Sequence, residues 1–165
     1  MYKFLLLGLV VVCTSCSLNH GKPIATLEYS GVERFQNSRI YQIYFTSDVA
    51  ILDLFKSRIG QGLVCALEDD VNFSMAHPIY RSGVGSVELA GNTVGEGYRS
   101  EVMFSESAEG KGGEFILGGN DLSRLLMKRD YISCVFRVHT TSYKTYFSTV
   151  MRVPTADLLK AMNKK

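Results

Sequence analysis

The side chains able to do chemistry in this chain are few, and each class carries its own geometric demand. Four cysteines stand at Cys13, Cys16, Cys65 and Cys134, and three histidines at His20, His77 and His139. Cys13 and Cys16 have the spacing of a thiol redox pair or half a zinc site, yet no βαβ pattern follows them and no second ligand pair stands elsewhere. A cysteine hydrolase needs a thiol made acidic at a helix start beside a histidine. Cys65 instead sits among aliphatics in GLVCALEDD, residues 62–70. No GxSxG elbow, HExxH, HxH or ExxH occurs. His77 precedes Pro78 in a predicted turn, and His139 ends a predicted strand facing outward with Arg137, so both read as solvated.

The remaining polar clusters also favour plain readings. Glu68-Asp69-Asp70 lacks the spacing of a calcium loop and reads as a solvated turn. Gly83-Val84-Gly85 and Gly110-Lys111-Gly112-Gly113 lack the spacing of a phosphate loop before a helix and read as turns. Asn72-Phe73-Ser74 matches a glycosylation triplet by chance. The expectation is therefore a non-enzyme without cofactor or metal. A formal net charge of +2 is too small for a nucleic-acid footprint.

The elements that position these residues are mostly strands. Nine Tyr, nine Phe and fifteen Gly suit strands and turns. Arg39–Thr46 puts Tyr41, Ile43 and Phe45 on one face, and Tyr131–His139 puts Ile132, Cys134, Phe136 and Val138 on one face. Further strands are predicted at Ile24–Tyr29, Leu63–Glu68, Val71–Met75, Ser86–Ala90, Tyr98–Phe104, Glu114–Leu117 and Tyr146–Val153. Gly-bearing segments such as RSGVGS (81–86), AGNTVGEG (90–97) and AEGKGG (108–113) supply the turns. Helical periodicity is predicted for Asp48–Ile59, with Ile51, Leu52, Leu54, Phe55 and Ile59 on one stripe, and for Thr155–Met162 with Thr155 as cap. Asn120–Lys128 is a third short helix or turn. The expected fold is mainly β, an antiparallel sandwich or barrel-like domain of about eight strands with one to three short helices.

The N-terminus has a separate logic. Lys3 precedes Phe4–Val12 (FLLLGLVVV), which as a helix rises only about 14 Å against the ~30 Å hydrocarbon core, so it fits the apolar region of a secretory signal rather than a permanent span. Cys13-Thr14-Ser15-Cys16 then resembles the lipobox of bacterial lipoprotein precursors, where small residues precede an acylated cysteine. The resemblance covers about the first seventeen residues and implies cleavage after Ser15, acylation of Cys16 and a membrane anchor through it. Ser17 rather than Asp after the cysteine implies the outer membrane, facing the periplasm. Residues 1–15 are then a signal peptide, 16–22 a lipidated tether and 23–165 a single globular domain.

With Cys13 discarded and Cys16 acylated, Cys65 and Cys134 remain as an even pair in an oxidising compartment. Each lies on the apolar side of an alternating strand, so they are expected to bond across the core. His139–Phe147 (HTTSYKTYF) offers Tyr143, Lys144 and Tyr146 as a contact patch, since Tyr gives area at low entropy cost. The leading expectation is a lipid-anchored, non-catalytic module that binds an envelope or periplasmic protein, as an assembly accessory or an inhibitor or immunity protein. The alternatives are an envelope hydrolase acting on peptidoglycan or lipid through Cys65, His77 or His139, and a lipoprotein storing an apolar ligand.

Overall fold

The structure is a computed structural model, and it describes residues 21–69, 71–91, 97–107 and 113–164. The signal-like run, Cys13, Cys16, Ser17 and His20 lie outside the described residues, as do Asp70 and residues 110–112. Alternating apolar residues build strands β1 (Leu27–Arg34), β2 (Ile40–Ser47), β3 (Arg58–Ala66), β4 (Arg81–Gly85), β5 (Val87–Leu89), β6 (Tyr98–Ser107) and β7 (Glu114–Ile116). After helix α1 (Gly119–Leu126) come β8 (Tyr131–Thr140), β9 (Thr145–Phe147), β10 (Met151–Pro154) and helix α2 (Thr155–Asn163).

All pairings are antiparallel and form one sheet in the order β1-β2-β6-β4-β3-β8-β10, with β5 and β7 added to β6 and β9 to β8. The sheet curls into a half-barrel, which is the barrel-like form of the expected mainly β fold, with ten strands and two short helices among the described residues. Its two ends are tied: Ile24 N–H donates to the Phe147 carbonyl at 2.9 Å and Thr149 N–H to the Ala25 carbonyl at 2.8 Å. Helix α2 lies against β1 and β10 at this seam. Tyr29 donates to the Asp157 carboxylate at 2.9 Å, and Arg34 to the Met162 carbonyl at 3.1 Å.

The inward face is a dense apolar core. Phe45, Phe104, Phe136, Ile43, Leu63 and Ile132 are fully buried, joined by Leu122 and Leu126 of α1 and Leu158 of α2. Each such side chain contributes roughly 1.5–3 kcal/mol by leaving water. The predicted faces of β2 and β8 both point inward, as the alternation requires.

Where the observed elements differ from the sequence expectations, long-range pairing explains most of the difference. The helix expected at Asp48–Ile59 is absent. Its last two residues belong to β3, where Arg58 pairs with Thr140. A turn occupies 51–53, with Asp53 N–H donating to the Ala50 carbonyl. The apolar stripe splits accordingly: Ile51 is fully buried, while Ile59 is 65% exposed. Val71–Met75 is not a strand, because Asn72 takes the Ser74 N–H in an Asx turn and His77 N–H closes onto the Ser74 carbonyl.

RSGVGS, read as a turn, contains strand β4 between β3 and β6. Its glycines serve close approach rather than reversal. The strand expected over Tyr146–Val153 is split into β9 and β10 by Ser148, which exchanges bonds with Phe136. Ser148 N–H donates to the Phe136 carbonyl and Ser148 Oγ accepts from Phe136 N–H, both at 2.9 Å. Thr155 does not cap α2. Its hydroxyl instead donates back to the Arg129 carbonyl at 2.6 Å.

Candidate functional site: an outer-face groove

Because facing partners in an antiparallel pair share a side of the sheet, the register draws one apolar row across the outer face. Ile40 pairs with Met103, Met103 with Val84, Val84 with Val64, and Val64 with Val135. Val64 and Val135 are buried, but Val84 is 48% and Met103 41% exposed. An open apolar strip thus lies over the middle of the sheet.

Two adjoining clefts open beside this strip. One, of about 300 Å³, is lined by Phe73, Met75, His77, Val64, Val84 and Arg137 among others. The second, of about 240 Å³, is lined by Gly60, Gly62, Val64, Val84, Arg137 and His139 among others. They share Val64, Val84 and Arg137 and so run on as one groove. The glycines have a positional reason. Gly62 is the facing partner of Arg137 and Gly60 of His139, so the two basic side chains stand beside a ribbon without side chains.

The strand edges matter as well. Strand β3 pairs with β4 only over Leu63–Ala66, while its first half, Arg58–Gly62, pairs with β8 alone among the described residues. Strands β4 and β5 keep a common register on β6, and β5 adds to β6 only. The groove therefore opens where β3 and β5 part.

Its electrostatics are lopsided. Arg137 is half-buried and makes no ion pair with a described residue. Burial lowers the pKa of its guanidinium from the ordinary arginine value, and an arginine side chain stays charged at neutral pH. His139 Nδ1 lies 2.9 Å from Thr145 Oγ1. Burial first, and then the Arg137 charge, lower its pKa from the ordinary histidine value, so it is mostly neutral at pH 7. Among its described lining residues the groove thus sets the Arg137 guanidinium beside Val64, Val84 and Phe73.

The sequence-predicted site residues are distributed differently. Tyr143 sits at the β8–β9 turn with φ of 59° and is 82% exposed, with Lys144 exposed beside it. Tyr146 is half-buried, and its ring packs on Phe55 with centroids 4.6 Å apart. Tyr146 therefore offers less open surface than Tyr143 and Lys144. Cys65 and Cys134 are bonded. They are facing partners on neighbouring strands, Cα atoms 4.0 Å apart, so the bridge runs sideways within the sheet rather than across the core. In this state Cys65 has no thiol to act as a nucleophile.

The groove itself went unread as a site, although His139 and Arg137 were expected to face outward together. A signal was present: Gly60 and Gly62, two residues apart, mark one bare face of a strand. Among the described residues, no three His, Cys, Asp or Glu side chains converge as a metal site requires, and no helix is long and apolar enough to cross a membrane. Fold and site together define a β half-barrel bearing on its outer face a groove in which Arg137 stands among apolar residues and two histidines. Comparisons with protein-family models, curated proteins and solved structures find no match to this chain.

Proposed function

We propose that this chain is a lipid-anchored protein of the bacterial cell envelope, outer-membrane and periplasm-facing, whose body acts by contact as a non-catalytic protein-binding module. Assembly accessory and inhibitor or immunity protein are both forms of that role. One observation carries the contact reading: Arg137 stands half-buried in an open, apolar-walled groove with no counter-charge among the described residues. A desolvated charge of this kind gains most from a partner that neutralises it.

The address rests on two further supports. The lipobox-like run ends at Cys16, and the Cys65–Cys134 bond is of the kind that persists in oxidising compartments. Three acyl chains on Cys16, as the lipoprotein resemblance implies, would tether the body stably, since two or more are needed for lasting membrane attachment. The competing readings have less beneath them. A Cys65 hydrolase loses its nucleophile to the disulfide. An apolar store inside the sheet meets an interior occupied by Phe45, Phe104 and Phe136.

The anchor is tested by growing cells with a clickable fatty acid and comparing the wild-type chain with Cys16→Ala. The wild type is expected to carry the label and the variant to lose it. Equal labelling of both, or none in the wild type, rejects the anchor.

A further inference from the structure

The groove also specifies what it would hold, an inference that rests on the contact reading above and narrows it. We propose that it receives an extended polypeptide segment of a partner protein, in which an Asp or Glu flanked by aliphatic residues places its carboxylate on Arg137. The shape of the site favours polypeptide. Arg58–Gly62 is a strand half that pairs with no described strand on the side away from β8, and such an edge can receive another strand. Gly60 has nothing within 4 Å of where a Cβ would stand, so a second backbone can approach closely there, while at Gly62 the Gly85 carbonyl already fills that place and closes the inner end of the edge.

The walls select the flanking side chains. Val84 and Met75 are each 48% exposed and Phe73 lines the same cleft, so aliphatic groups on either side of the acid lose water against them. The charge selects the acid. A guanidinium presents a planar fork that matches a carboxylate with two parallel hydrogen bonds. Among the described residues lining the groove, Arg137 is the one arginine or lysine, with His139 mostly neutral at pH 7. One guanidinium suits a monoanion, whereas a phosphate dianion is better matched by more than one cation. Facing Arg137 from the elements around it are Gly62 of β3, Phe147 of β9 and the 73–79 loop, and none of these supplies a carboxylate.

Fluorescence polarisation with the purified full chain tests this, using fluorescein-Gly-Val-Leu-Asp-Val-Leu-amide as probe, the same peptide with Asn for Asp, and inorganic phosphate as competitor. The Asp peptide is expected to bind saturably, and the Asn peptide about tenfold more weakly or worse. Arg137→Gln is expected to reduce the Asp peptide to the Asn level and leave the Asn peptide unchanged; its melting temperature, compared with the wild type, verifies folding. Equal affinity for both peptides, no saturation by about 1 mM, or a loss with Arg137→Gln that is the same for both overturns the proposal. So does displacement by phosphate at concentrations similar to the peptide's own, which would make the site a general oxyanion site. A chain that fails here yet crosslinks a partner through Val84 in cells keeps the contact role and loses only this occupant.

Discussion

Removing the Cys65–Cys134 bond, by the paired substitutions Cys65→Ala and Cys134→Ala, lowers the free energy of unfolding by about 4 kcal/mol in the chain-entropy account. The bond closes a loop across a sequence separation of 69 residues, long enough for the denatured chain to gain much freedom once it is cut. It also pins β3 to β8, an eight-pair ladder at the floor of the groove. Replacing both cysteines avoids leaving a lone buried thiol and isolates the cross-link. Urea unfolding of the oxidised wild type and the double variant reads the difference, with a midpoint shift of roughly 2 M at the slopes usual for small proteins. Reducing the wild type should reproduce most of the shift, and a loss below about 1 kcal/mol would contradict the role given to the bridge.

A substitution of a single methyl group at Gly85 is expected to be nearly as damaging. A Cβ at this position would collide with the Glu101 carbonyl oxygen and lie 2.6 Å from Ser100 Oγ. The first of these is backbone of β6, the strand to which both β4 and β5 pair, so no rotamer change relieves it. Gly83 shows the same constraint in a softer form, since a Cβ there would meet the Phe104 ring at 2.6 Å. Gly85→Ala should therefore cost about 3 kcal/mol, at the upper end of ordinary overpacking. Gly31→Ala provides the contrast, because nothing lies within 4 Å of a Cβ at that position in β1. It should change stability by less than about 1 kcal/mol. Thermal unfolding of the two variants side by side checks the prediction, and equal melting temperatures would refute the packing argument.

These glycines show why the strands were only partly legible in the sequence. Strands with one buried face announced themselves by alternation, as Tyr41, Ile43 and Phe45 did in β2 and Ile132 to Val138 did in β8. Strand β4 hid because glycine density is also the mark of turns, and only its neighbours β3 and β6 reveal that Gly83 and Gly85 are there for contact. The Asp48–Ile59 window carried a true helical period, but pairing of Arg58 with Thr140 drew its end into β3 and no helix formed. Short-range pattern and long-range pairing competed, and pairing decided.

The candidate site followed the same division. The pairing of Cys65 with Cys134 was readable from compartment and alternation, whereas its sideways geometry required knowing that β3 and β8 are neighbours. Tyr143 was placed correctly on the surface, but the packing of Tyr146 on Phe55 links segments more than ninety residues apart, beyond any local pattern. The groove combines residues of β3, β4, β8 and the 73–79 loop. No single stretch of sequence contains it.

The central claim, that the outer-face groove is the contact surface, is tested most directly by photocrosslinking in living cells. The photoreactive residue p-benzoylphenylalanine is placed at Val84 in the groove, at Tyr143 on the exposed turn, or at Lys160 on α2. Irradiation is expected to give one discrete protein adduct from Val84 and none from the other two positions. An adduct from Tyr143 or Lys160 with none from Val84 would contradict the assignment.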